Sequence, residues 1–404
     1  MDKMNFGDDF FSFIASHESD DVARLRLKRH NAASFDMDFA ITQIECRKRI
    51  RRKLPEIFAD HRFIFPSVLA TEQATCEAIA KYHADIVGCV ESVLDMTAGM
   101  CIDDYYIAAR AGKVVSVEMN ETTAAVSRYN MSRLRGNIEV IHGNSIDYIS
   151  SLASARRFDA VFIDPARRAA NQSRVYGLAD CEPDVLSLLP AISAVAPVLY
   201  VKASPMLDVT QVLRDVPAVS NVWVVSLRNE CKELLFKVDF VHNAVADPML
   251  HCVNITADDG SQREEMSLPY SAVRAAVPRY ASVFGRYIYE PNASIMKAGA
   301  FAALASQYCV EKIAPHSHLF TAGSLHSDFP GRIFEVESVM PFKEKTVKAA
   351  LKGVSHINVS VRNFKLSAQQ LKSRLKLSDG GDSYLFGTTT DNGDMVVILC
   401  HKAV

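Results

Sequence analysis

The sequence predicts an α/β fold: an open, doubly wound, mostly parallel sheet, preceded by a helical region and followed by smaller α+β units. Three observations carry this. Short apolar runs near 91–95, 114–118, 138–142, 159–163 and 197–203 alternate with segments of helical period, and alternation of that kind builds parallel sheets. Three of the runs end in an acid: Val93-Leu94 in Asp95, Val114–Val117 in Glu118, and Ala160–Ile163 in Asp164 followed by Pro165. The first is also followed by a glycine turn at Gly99. In such sheets ligands sit at the carboxyl ends of the strands, so three acids at three strand ends imply one shared crevice.

Residues 1–80 read as mostly helical, punctuated by Pro55 and Pro66. The stretch Glu45–Leu54 is basic on most sides and is not expected to bury. A single helix is expected over Glu72–Tyr82, leading into the first strand. The helix at Glu121–Leu134 is preceded by a capping-type Asn120 and stopped near Gly136. Past residue 220 the pattern changes. Val222–Ser226 and Leu234–Phe240 are close enough for a hairpin, which would make one strand antiparallel at the sheet edge. A second hairpin is expected around Asp258-Asp259-Gly260. Residues 281–325 read as strand, helix near Ala293–Ser306, and return strand near Leu319. In residues 332–404 the clearest helix starts at Ser367, which forms a capping box with Gln370. A strand at Met395–Cys400 closes the chain after the turn at Asn392-Gly393.

A length of 404 residues favours more than one core. With 49% hydrophobic and 23% charged residues the composition is that of a soluble globular protein. No apolar run approaches a membrane helix, and the acidic N-terminus lacks a secretory pattern; a cytoplasmic location is expected. Nine cysteines lie scattered without a C-x-x-C pair, which suggests free buried thiols and no metal site. Charge is unevenly placed. Residues 22–62 hold 11 Lys/Arg against 5 Asp/Glu, and residues 341–376 hold 9 against Glu344 alone. The overall net of −2 leaves −16 for the remainder. Two basic segments on an acidic body point to a polyanion such as nucleic acid.

The crevice chemistry narrows the ligand. A dinucleotide site needs G-x-G-x-x-G, but those slots hold Gly99, Cys101 and Asp104. Asp103 and Asp104 would also repel a pyrophosphate. S-adenosylmethionine carries no phosphate but a sulfonium and an ammonium, so acids such as Asp95 and Asp103 favour it. Glu118 can accept hydrogen bonds from ribose hydroxyls.

Here a resemblance becomes specific. Leu94–Met100, Ile163–Arg168, Lys202–Asp208 and Asn229–Leu235 resemble class I S-adenosylmethionine-dependent methyltransferases, in particular bacterial proteins that join such a domain to a C-terminal THUMP-like domain. Tyr289–Ala293, Met296–Gly299, Phe329–Arg332, Arg362–Ser367 and Gly380–Leu385 carry the resemblance to the end of the chain. It implies a helical region at 1–85 and a doubly wound, mostly parallel seven-stranded Rossmann-like methyltransferase sheet at 86–245. A small ferredoxin-like α+β domain at 246–325 and a THUMP-like α+β domain at 326–404 would follow. It implies that Asp95, Ala98, Gly99 and Met100 face the methionine part of the cofactor. Glu118 would hold the ribose, Met119 would pack on adenine, and Asn144 would meet the adenine amine. Ser145, Asp164 and Pro165 are also expected at the cofactor site. Cys101 stands where glycine is usual, and its side chain is expected to crowd the methionine tail.

Asp164-Pro165 occupies the slot where amino-methylating enzymes carry Asp/Asn-Pro-Pro-aromatic; the acid there accepts a hydrogen bond from the target amine. This chain continues with Ala166 and Arg167 instead. Asp164 is therefore the expected catalytic residue, and Arg167, Arg168 and Lys202 are expected substrate contacts, with pairing to Asp164 or Glu230 the other role open to Lys202. The expected activity is methyl transfer to RNA, tRNA or rRNA, probed by the basic segment 343–376. Two readings remain open: a methyltransferase for protein or a small molecule, and a non-catalytic RNA-binding module whose cofactor site Cys101 has closed.

Overall fold

A computed structural model describes residues 6–27, 34–152, 157–167, 177–242 and 244–403. The chain divides into two compact units: residues 1–228, 232–248 and 255–263 in the first, and 229–231, 249–254 and 264–404 in the second.

The first unit is built on seven strands. They are β1 (Val90–Asp95), β2 (Ala111–Glu118), β3 (Ile138–His142), β4 (Ala160–Ile163), β5 (Val198–Ala203), β6 (Val219–Leu227) and β7 (Glu230–Asp239), in the order β6-β7-β5-β4-β1-β2-β3. Strands β1 to β5 run parallel. Their runs are continuously apolar because helices cover both faces: Val93, Leu94, Val114, Val161 and Val201 are fully buried.

Two features differ from expectation. The sheet has nine strands rather than seven, because Met249–Ile255 and Arg263–Pro269 join it, and it is mixed. The late hairpin exists, but its antiparallel strand is interior. β7 inserts between β5 and β6 and pairs antiparallel with β5 through Val198↔Asp239 to Ala203↔Leu234. The hairpin turns on Arg228 and Asn229, both at positive φ (49° and 64°), the geometry whose twist matches two antiparallel strands.

The N-terminal helices contain a second correction. The basic helix Met37–Ile50 does bury one side: Ile44, Cys46, Arg47 and Ile50 are inaccessible or nearly so. Arg47 is tolerated there because its guanidinium donates to the carbonyls of Phe58 (2.7 Å) and Asp60 (3.2 Å) and lies over the Phe58 ring. The helix expected over 72–82 is split into Val68–Gln73 and Glu77–Val87.

In the second unit a seven-stranded sheet runs in the order Glu311–Lys312, Phe320–Ala322, Tyr287–Pro291, Gly331–Pro341, Met395–Lys402, Ser383–Thr389 and Asn358–Arg362. Gly331 is required where it packs on Tyr287–Pro291, since a Cβ there would stand 2.2 Å from the Glu290 carbonyl. The capping box at Ser367 is formed in both directions. Among the described residues no helix is long and apolar enough to cross a membrane. None of the nine cysteines is in a disulfide; Cys89 and Cys309 are exposed rather than buried.

Candidate active site

The carboxyl ends of β1, β2 and β4 lie side by side because β1 pairs with β2 on one side and with β4 on the other. A cavity of about 260 Å³ opens there. Asp95, Ala98, Gly99, Met100, Glu118 and Asp164 all line it, together with Thr97 and Asp103. The three acids at strand ends thus share one crevice.

The turn after β1 is fixed by its own side chains. Asp95 accepts from the Thr97 backbone N–H (2.7 Å) and Thr97 hydroxyl (3.3 Å), and that hydroxyl accepts from the Asp164 N–H (2.7 Å). Thr97 therefore joins the ends of β1 and β4. Gly99 adopts φ +53°, where a side chain is strained. Its N–H donates to Glu118 Oε2 (2.9 Å), while Glu118 Oε1 accepts from the Asn120 N–H (2.6 Å). Both carboxylate oxygens are aimed, and each keeps a lone pair for a ligand hydroxyl. Burial, reinforced by Asp104, pushes the Asp95 carboxyl well above the usual range. Burial likewise pushes Asp104, which accepts from Ser116 Oγ (2.6 Å), up to about 6. A cation arriving beside Asp95 restores the favoured charged form. This set of acceptors suits a cationic nucleoside and not a diphosphate.

Cys101 does not crowd this cavity. It caps the helix Ile102–Ile107 at φ +57°, is fully buried, and is not part of the cavity wall. Its thiol lies toward Asp104 and Ser116 beneath the turn, and burial pushes it up. The residue bears the unfavourable left-handed backbone that glycine takes freely, but its side chain points into the core.

The other expected residues separate. Met119 is 70% exposed beside Glu118 and does not line the cavity. Asn144 spends its side-chain oxygen capping the helix Ser145–Ser151 through Ile146 N–H (2.8 Å), and neither it nor the buried Ser145 lines the cavity. Pro165 and Lys202 line a second cavity of about 650 Å³, which shares Gln73, Ala74, Thr75 and Asp164 with the first. The Arg167 side chain and Arg168 lie outside the described residues.

The wall between the cavities is a charged network, of which the sequence offered only the Lys202–Asp164 pair. Lys202 Nζ donates to Asp164 Oδ2 (2.6 Å) and Thr75 Oγ (2.9 Å). Thr75 donates to Asp103 Oδ2 (2.5 Å), and Asp103 Oδ1 meets His83 Nδ1 (2.7 Å). The other ring nitrogen of His83 bonds Glu233. Burial opposes the charge on His83, but the two carboxylates outweigh it and raise its pKa to about 10. Lys202 and His83 in turn hold Asp103 well below the usual carboxylate range. Burial raises the Asp164 carboxyl, and Lys202 opposes that rise. Asp164 Oδ1 has no partner among the described residues, so it is an open acceptor at the junction of both cavities. The helix break at 74–76 is what turns Thr75 into this network.

Similarity to known proteins agrees with this architecture. Residues 287–330 match a ferredoxin-like domain model and residues 331–402 a THUMP domain-like model. Over 170 residues the chain is 29% identical to ribosomal RNA small subunit methyltransferase J of Vibrio parahaemolyticus, covering 37% of this chain and 63% of that protein. The protein of the same name from Erwinia tasmaniensis is 26% identical over 178 residues, or 41% and 67% of the two chains. The chain spans less than two-thirds of the length of the first of these relatives. A solved structure from Porphyromonas gingivalis W83, described provisionally as a methyltransferase, is 29% identical and superposes with a TM-score of 0.89 over 99% of this chain and 100% of that one. The fold is that of an α/β methyltransferase with a mixed sheet. Ferredoxin-like and THUMP-like segments follow it in the chain.

Proposed function

We infer that this protein is an S-adenosylmethionine-dependent methyltransferase acting on RNA, with small-subunit ribosomal RNA as the substrate class. One observation carries the reading: Glu118 and Asp164 line a single cavity, and Asp164 also opens onto a second, larger one. The first has the acceptors for a cationic nucleoside. The second has room for the group to be methylated.

Glu118 would hold the ribose, Asp95 and the Gly99 turn the methionine end, and exposed Met119 the adenine face. When bound, the cofactor supplies an electrophilic methyl group. The chain's part is alignment and exclusion of water. Asp164 Oδ1 accepts a hydrogen bond from the target amine and orients its lone pair, while Lys202 fixes the carboxylate through Oδ2. The relatives named for ribosomal RNA methylation support the substrate class. The second unit supports contact with RNA. Lys343, Lys345, Lys352, Lys365, Arg374 and Lys376 are all exposed and make no ion pair among the described residues, whereas Lys348, Arg362 and Lys372 are paired with Glu344, Glu290 and Asp379.

Calorimetry with S-adenosylmethionine, followed by nucleoside mass spectrometry of ribosomal RNA incubated with the protein and labelled cofactor, tests the reading. Cofactor binding with no methylated nucleoside would remove RNA as substrate. No cofactor binding would remove the enzyme altogether. Within this reading, Glu118→Ala lowers cofactor affinity roughly ten- to hundredfold, the loss expected for hydrogen bonds to a charged acceptor; unchanged affinity would take Glu118 out of the ribose role.

A further inference from the structure

The 650 Å³ cavity has a composition that the methyltransferase reading leaves unexplained. Six of its wall residues are basic: Arg49, Arg52, Lys53, Lys202, Arg228 and Lys232. Three of these are neutralised by carboxylates. Arg49 pairs with Glu45 and Glu72, Lys202 with Asp164, and Arg228 with Asp258. Arg52 is exposed and forms no hydrogen bond or ion pair among the described residues. Lys53 is half-buried, and its ammonium donates to the carbonyls of Thr71 and Glu72, which aim it without cancelling its charge. Burial lowers the pKa of Lys53; Lys202 and Lys232 lower it too, against the opposing pull of Cys76 and Glu72. Arg52 and Lys53, which no carboxylate pairs among the described residues, are stabilised by an incoming anion. The same cavity carries apolar surface from Ile79, Pro165, Pro205, Leu207 and Leu227, and Asp164 faces it with an open acceptor.

Apolar wall, hydrogen-bond acceptor and uncompensated cations are together the complement of one nucleotide: base, exocyclic amine and phosphate. An enzyme that acts on a base in RNA must take that base out of its stack into such a pocket. We propose that Arg52 and Lys53, at the end of the N-terminal basic helix, grip the backbone phosphate beside an extruded nucleotide whose base lies in the second cavity against Pro165 and Asp164. The proposal rests on the RNA methyltransferase reading. It assigns the N-terminal helical layer to substrate recognition beside the active site, apart from the basic surface of the second unit. The bland alternative is that Arg52 is a solvated cation favoured by the nearby helix C-terminus.

The test uses the full chain and transcribed small-subunit ribosomal RNA in filter-binding titrations over a range of salt. Arg52→Ala lowers RNA affinity roughly threefold to tenfold and reduces the slope of log affinity on log salt by about 1, the signature of one lost phosphate contact. Arg52→Lys keeps the slope, because a point charge suffices for phosphate. Calorimetric affinity for S-adenosylmethionine is the same in all three proteins. If Arg52→Ala binds RNA with the wild-type affinity and slope, the proposal is overturned and the methyltransferase reading stands. A wild-type chain that binds cofactor but no RNA overturns the substrate reading and this proposal together.

Discussion

Asp164→Asn is expected to be as inactive as Asp164→Ala, each losing roughly 10²- to 10⁴-fold in transfer rate, the usual weight of a positioned proton acceptor. The equivalence follows from Lys202. Its ammonium, 2.6 Å from Oδ2 in the native protein, can only donate. In the amide variant it therefore selects the side-chain oxygen and turns the NH₂ toward the cavities. The group facing the target amine then becomes a donor. The substitution preserves shape and removes function. Cofactor affinity is expected to hold, because Glu118 and the Gly99 turn are untouched. Single-turnover transfer alongside calorimetry checks both halves. An Asp164→Asn protein with full rate would take the residue out of catalysis.

The same residue sets the acid limb of the pH profile. Burial places its carboxyl above the ordinary 3.8. Activity needs the ionised acceptor, so the rate falls as pH drops through that raised value and therefore starts to fall at a higher pH than an aspartate with the ordinary value would give.

Much of this was legible in the sequence, and the part that was not has identifiable causes. Strands β1 to β5 fell at the expected positions because strands buried on both faces read as unbroken apolar runs. The acids Asp95, Glu118 and Asp164 followed from strand ends and needed no long-range information. The place of β7 did not follow. A hairpin announces its turn and its two strands, but whether it adds at the edge or inserts beside β5 depends on pairing with residues some thirty to forty positions earlier. The break at 74–76 had no Gly or Pro to mark it. Ala74, Thr75 and Cys76 leave the helix because Thr75 gains two side-chain bonds by doing so, a tertiary gain that overrides local preference. Asn144 was read as a ligand contact; its side-chain oxygen also caps the following helix, a role an Asn before a short helix equally offers. His83 offered no signal, since its partners lie 20 and 150 residues away.

His83→Ala should be the most damaging single change to stability. The ring is fully inaccessible and sits between Asp103 and Glu233. Removing it leaves two carboxylates facing a vacancy that water cannot easily fill, and breaking a buried charge network by deleting one partner costs about 3–5 kcal/mol. For a unit of this size that is a fall in melting temperature of roughly 6–20 °C. The wild-type protein provides an independent check through pH. The folded-state pKa of His83 is raised from 6.5 to about 10, so its contribution is fully present below pH 6.5 and drains away as pH rises to about 10. Asp103 has the opposite sign: its pKa is depressed from 3.8, so its contribution is present above pH 3.8 and is lost as pH falls further. Thermal stability should therefore be greatest between those limits and decline on the alkaline side well before lysines titrate. The effect reaches catalysis through one chain of bonds, because Asp103 holds Thr75, Thr75 holds Lys202, and Lys202 holds Asp164. A His83→Ala protein that melts like wild type, or a wild-type melting temperature flat from about pH 6 to about pH 10, would mean the ring is neutral and the network carries no buried cation.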